Sequence, residues 1–148
     1  MATHYQGTDQ EKRALDAYIK LLRAAESVAA RLAQELRDDQ LTISQFGSLE
    51  ALLHLGPMSQ RQLGNKLLKS SGNITMVIDN LEKRGLVQRQ REAHDRRVVT
   101  LHLTADGRRL IEEIFPRHVD DIVAEMACLT AAEQDTLGQL CRKVGLEE

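Results

Sequence analysis

Apolar residues recur every three or four positions along most of this 148-residue chain and every second position in one short stretch. Leu15, Tyr18, Ile19, Leu22, Ala25, Ala29, Leu32 and Leu36 form the first stripe, which predicts a long amphipathic helix reaching about Arg37. Thr8 and Glu11 mark its start, in the Ser/Thr-x-x-Glu/Gln pattern whose side chains and backbone cap each other reciprocally. The pattern returns at Thr42/Gln45, Ser59/Gln62 and Thr130/Glu133, so helices are expected to open at each. Behind Thr42 a shorter stripe, Phe46, Leu49, Leu52 and Leu53, stops at Gly56-Pro57. Behind Ser59 lies a brief helix with Leu63 and Leu67 inward. "KSSGN" interrupts it, and a further helix begins near Ser71 with Ile74, Val77, Ile78 and Leu81 on one face. It ends at Gly85, a residue suited to the left-handed stop of a helix.

Past Gly85 the period falls to two. Leu86 to Arg91 and Val98 to Leu103 predict an antiparallel hairpin, with "HDRR" near its tip. Thr104 then caps a long helix carrying Leu110, Ile111, Ile114, Val119, Ile122, Val123 and Met126, which Pro116 is expected to bend. A last helix follows Thr130 with Leu137, Leu140, Cys141 and Val144 along one side. The chain is mainly α with a small β-hairpin, and no internal repeat interrupts it.

Charge divides the chain more informatively than its net value of -2. Ser59 to Thr104 holds nine basic residues (Arg61, Lys66, Lys69, Lys83, Arg84, Arg89, Arg91, Arg96 and Arg97) against Asp79, Glu82, Glu92 and Asp95, a local charge of +5. The remainder carries -7. A basic centre between acidic arms suggests a module for a polyanion set between segments with another task. No N-terminal apolar run suits a signal peptide and no stretch is apolar for long enough to span a membrane, so a cytoplasmic protein without membrane contact is expected. Cys128 and Cys141 are too few for a disulfide framework and too far apart for a CxxC site, and packed, reduced thiols are expected.

Three short helices followed by a two-stranded ribbon is the layout of a winged helix-turn-helix, in which one helix braces on the DNA backbone, the next enters the major groove and the hairpin reaches a neighbouring groove. Gln60 and Arg61 stand at the start of the bracing helix, and Lys69, Ser70 and Ser71 at the turn suit a phosphate. The face of the reading helix opposite its apolar stripe carries Gly72, Thr75, Met76, Asp79 and Lys83, with Asn73 and Asn80 to one side. Gly72 permits close approach, Asn73 and Thr75 can exchange hydrogen bonds with base edges, and Met76 can lie against a thymine methyl. At the hairpin tip, Arg96 and Arg97 are placed for DNA, the narrow minor groove of A·T segments included. Asp95 is better explained as the partner that orients Arg97 than as a DNA contact.

From Leu41 to Gly107 the chain resembles the MarR family of bacterial transcription regulators, with "LEKRGLV" followed by Asp95-x-Arg97 and Leu101-x-Leu103-Thr104 as the specific combination. The wording "SSGNITMVIDNLEKRGLV" is similar to a branch containing repressors of quinone and catechol stress. The resemblance implies one MarR-type domain over 1–148, a DNA-binding region at 42–104, and dimerisation helices at 8–37 and 105–145. It implies a homodimer on a pseudo-palindromic operator, released by a small, often phenolic, ligand or an oxidant near the junction of dimer and reading head. Many members carry arginine where this chain has Met76, so their base preferences do not transfer. Tyr18, Phe46 and His54 lie on the right helices to line an aromatic effector pocket, but are more simply read as ordinary core or surface residues.

Other classes fit less well. His4, His54, His94, His102 and His118 are scattered without a paired or HExxH spacing, so neither catalysis nor a resident metal or cofactor is expected. A winged-helix module that binds only proteins, or a metal- or thiol-sensing regulator, are the alternatives. The first would not need a basic reading face.

Overall fold

The computed structural model describes residues 4–67 and 71–145, with the backbone alone at Ser71. Six helices and three short strands follow in order: α1 (Asp9–Leu36), a 3-10 turn (Arg37–Asp39), α2 (Ile43–Leu55), β1 (Met58–Ser59), α3 (Gln60–Lys66), α4 (Ser71–Lys83), β2 (Val87–Arg91), β3 (Val99–Leu103), α5 (Ala105–Met126) and α6 (Ala131–Gly145). All four capping boxes close. At α2, for example, the Gln45 N–H donates to Thr42 Oγ1 at 3.1 Å and the Thr42 N–H to Gln45 Oε1 at 3.0 Å. Thr8, Ser59 and Thr130 are engaged in the same way. Each box satisfies two amides that helical geometry leaves without partners, which is why these starts are legible locally.

Helix α4 stops where Gly85 adopts φ +74° and the Leu86 N–H reaches back to the Leu81 carbonyl at 2.9 Å. That left-handed residue is inexpensive only for glycine, and the turn delivers the chain directly into β2. The hairpin is one residue shorter at each strand start than its alternation suggested: Leu86 belongs to the helix stop, and Val98 to the loop, where its carbonyl accepts from the Glu92 N–H at 3.0 Å. A third strand was not visible in the sequence. β1 pairs antiparallel with β3, Met58 opposite Leu101, so β3 is central in the order β1-β3-β2. Two residues have no measurable period, and the strand exists only because the Gly56-Pro57 turn sets Met58 against β3.

One apolar cluster holds the middle of the chain together. It takes Phe46, Leu49 and Leu52 from α2, Leu63 from α3, Ile74, Ile78 and Leu81 from α4, Leu86 from the stop of that helix, Val87 and Leu101 from the hairpin, and Ile111 and Ile114 from α5. Leu67 packs against it half-buried. From α1 only the last residue, Leu36, is buried, and α6 contributes nothing. α5 runs through Pro116 without interruption. The terminal helices therefore project from the core with Tyr18, Leu21, Leu22, Val123, Leu137, Leu140 and Val144 exposed on the single chain. Among the described residues no helix is long and apolar enough to cross a membrane.

Candidate nucleic-acid interface

The inward stripe of α4 turns its other face to solvent. Ile74, Ile78 and Leu81 are buried, whereas Gly72, Asn73, Asp79 and Lys83 are exposed and Met76 is 72% accessible, an unusual position for a large apolar side chain. Thr75 sits deeper: its Oγ1 accepts from Gln60 Nε2 at 2.7 Å. Gln60 in turn accepts from Arg89 Nη2 at 3.2 Å. Gln60 is thus a brace between α3, α4 and the wing rather than an outward-facing group. Lys69 and Ser70 lie outside the described residues, as does the side chain of Ser71. Arg61 is exposed at the start of α3.

Arg89 is the organising residue that charge counting could not single out. Its guanidinium meets Asp79 at 2.7 Å and Glu82 at 3.0 Å, and its backbone N–H also donates to Glu82 at 3.0 Å. Arg89 is three-quarters covered while its acidic partners are largely exposed, so each pair is worth at most about 1 kcal/mol. Their consequence is geometric, since one side chain locks strand β2 to the recognition helix and to Gln60. Two other arginines are also engaged, Arg84 with the Gln40 carbonyl at 2.8 Å and Arg91 with the Arg96 carbonyl at 2.7 Å. Among the described residues of this segment, Arg61, Lys66, Lys83, Arg96 and Arg97 are the other basic groups, all exposed.

At the wing tip the acid and the arginine two residues on form a clasp. Asp95 Oδ1 accepts from the Arg97 N–H at 3.0 Å and from Nε at 3.1 Å, and Oδ2 accepts from Nη2 at 3.2 Å. The Arg97 side chain bonds hold the Asp95 carboxyl below the usual carboxylate range, the Arg97 backbone bond adding to them. The carboxylate is thus charged at neutral pH, and the clasp opens only as acid protonates it. The Arg97 side chain remains 91% accessible, so its guanidinium is oriented and still open to a ligand.

The candidate effector residues do not converge in one chain. Phe46 is buried at 2% exposure beneath Phe115, ring centroids 6.4 Å apart, and exposed His54 meets the edge of Phe115 at 4.7 Å. Tyr18 instead lines an apolar groove between α1 and α6 with Ala14, Leu21, Leu137, Leu140 and Cys141. Phe115 stands out in no sequence pattern and His118 counts there only as one of five scattered histidines, although their three-residue spacing places them on one helix face. His118 lies 4.1 Å from Phe46, and its Nδ1 is buried without a partner. Burial pushes its imidazole below the usual histidine value, against the opposing charges of Glu50 and Asp121. Neither cysteine is packed within the chain. Cys128, in the turn between α5 and α6, and Cys141, on a helix that contributes no buried residue, are both exposed.

The sequence profile of the MarR family matches residues 41–99, from the start of α2 through α3, α4 and β2 to the first residue of β3. The HTH-type transcriptional regulator YkoM of Bacillus subtilis is 34% identical over 93% of this chain and 90% of its own length. This chain belongs to the MarR family. A second relative, the HTH-type transcriptional regulator MhqR of B. subtilis, is 33% identical over 91% of this MarR-family chain and 93% of its own. Among solved structures, BpsR of Bordetella bronchiseptica, whose DNA binding is regulated by 6-hydroxynicotinic acid, superposes with a TM-score of 0.80 at 30% identity, covering 87% of this chain and 98% of that one. The chain is a transcriptional regulator with a MarR-type winged-helix fold, and not an enzyme.

Proposed function

We propose that the protein is a repressor that binds a pseudo-palindromic operator as a homodimer, with 42–104 as reading head and the segments 8–37 and 105–145 as dimerisation helices. It works in the cytoplasm, where its DNA is. The observation that carries this reading is the Asp95–Arg97 clasp, an arginine oriented at a wing tip and still almost fully accessible, fixed through β2 and Arg89 to a helix that exposes Met76. Arg97 enters the minor groove, Arg96 faces phosphate, and Gly72, Asn73, Thr75 and Met76 meet the major groove with Lys83 and Arg61 toward the backbone. The effector is a small aromatic compound of phenol or quinone type, or an oxidant. The regulation of BpsR by a hydroxylated aromatic acid supports this chemical class. The Phe46, Phe115 and His54 cluster, where α2 meets α5, is the place at which a ring would bear on both reading head and terminal helices.

Operator titrations of wing variants test the reading. Arg97→Ala should weaken binding by about 1 to 3 kcal/mol and flatten the preference for A·T-rich flanks, whereas Arg96→Ala should cost affinity evenly across sequences and lower the salt slope by roughly one. Asp95→Ala should resemble a mild Arg97 loss, because the guanidinium remains and is less ordered. Tighter binding by Asp95→Ala, together with an unchanged flank preference in Arg97→Ala, would reduce the wing to a solvated turn.

A further inference from the structure

We propose that Asn80 meets the operator through its NH2, as a donor, and that Gln45, on a different helix, sets this polarity. The inference rests on the DNA-reading role of α4. Gln45 is the third residue of α2, and its amide cannot choose its own orientation: closure of the capping box requires Oε1 to accept from the Thr42 N–H, 3.0 Å away. Its Nε2 end therefore faces outward and donates to Asn80 Oδ1 at 2.9 Å, across 35 residues of sequence. Asn80 is exposed, and with its oxygen turned to α2 its NH2 is the group it offers. Asn80 and Gln45 line one groove with Ser44, Asn73, Met76 and Val77, so that NH2 stands beside the outward face of the recognition helix.

This arrangement reverses the usual chemistry of asparagine on DNA. A free asparagine reads adenine through both ends, donating to N7 and accepting from N6. With one lone pair of its oxygen taken by Gln45 and that oxygen drawn toward α2, Asn80 presents this edge less readily than its NH2 alone. Its partner is an acceptor: a purine N7, the O6 of guanine or the O4 of thymine in the major groove, or a phosphate oxygen.

Gln45→Glu distinguishes this device from a simple helix cap. Glutamate closes the same box with Thr42 but carries no donor, so the Asn80 amide turns over, gives its NH2 to Glu and presents Oδ1 to the groove. Operators are selected from random DNA with the wild type, Gln45→Glu, Asn80→Ala and the double variant, with melting temperatures recorded to show that the cap survives. Asn80→Ala should bind the wild-type operator about 5-fold more weakly. Gln45→Glu should cost more when Asn80 is present than in the Asn80→Ala background. With a base as partner, Gln45→Glu moves one symmetry-related pair of positions toward A or C, whose N6 and N4 amino groups donate. With a phosphate as partner, its loss is equal on every sequence. Wild-type affinity and site profile in Asn80→Ala would overturn the proposal, and so would an equal Gln45→Glu penalty in both backgrounds, because the glutamate would then act by its charge alone. A wild type that selects no sequence would remove the DNA-reading role itself.

Discussion

Leu140→Glu combined with Val144→Glu should convert the protein to a folded monomer and weaken operator binding by about 100-fold or more. Leu140 and Val144 lie one turn apart on α6, and are 56% and 67% exposed in the single chain. With Tyr18 and Leu21 of α1 they belong to an apolar surface that the core does not reach. Exposed apolar side chains gathered in this way mark an association face, and a second copy of the same helices covers it most simply. Two protomers would then present two α4 helices roughly 34 Å apart, one turn of DNA, and the affinity of each half-site would multiply through their linkage. Neither residue touches the reading head, so the circular dichroism spectrum should be preserved. Light scattering and operator titration together give the readout, and a variant that stays dimeric with unchanged operator affinity would sink the interlocking-helix account.

Gly107→Ala should destabilise the fold by about 3 kcal/mol, near the top of the range for overpacking, and lower the melting temperature by roughly 10 °C. A Cβ at Gly107 would stand 2.0 Å from the Leu86 carbonyl oxygen and 2.9 Å from its carbonyl carbon. Leu86 cannot retreat. Its N–H is tied to Leu81, its carbonyl accepts from the Thr104 N–H at 3.1 Å, and its side chain is buried at 7% exposure. The contact joins the stop of the recognition helix to the first turn of α5, so relieving it would shift the wing as well. Gly72→Ala is the matched control: nothing lies within 4 Å of its Cβ, and stability should stay within about 1 kcal/mol of wild type or rise. Equal melting temperatures for the two variants would mean that the α4–β2 junction gives way more readily than its hydrogen bonds indicate.

Whatever is settled within a few residues of chain was legible in the sequence. The four capping boxes involve residues three apart, the Gly85 stop needs one left-handed residue, and the Asp95–Arg97 clasp closes over two. The apolar periods likewise identified α2, α4 and the hairpin, because burying one face imposes the period of the element itself. Tertiary packing decided the rest. Arg89 looked like one of nine interchangeable positive charges, and only the approach of β2 to α4 made it a tie among Asp79, Glu82 and Gln60. β1, the separation of Tyr18 from Phe46, and the Gln45–Asn80 pair depend in the same way on how distant elements meet. Periodicity also could not say what covers a stripe. Cys141 shares one with Leu137 and Val144 and was expected to be packed, yet it is exposed, because the nearest apolar surface of its own chain is a groove that α6 only borders. A sequence records which atoms want partners, and the partners more than a turn away are assigned by the fold.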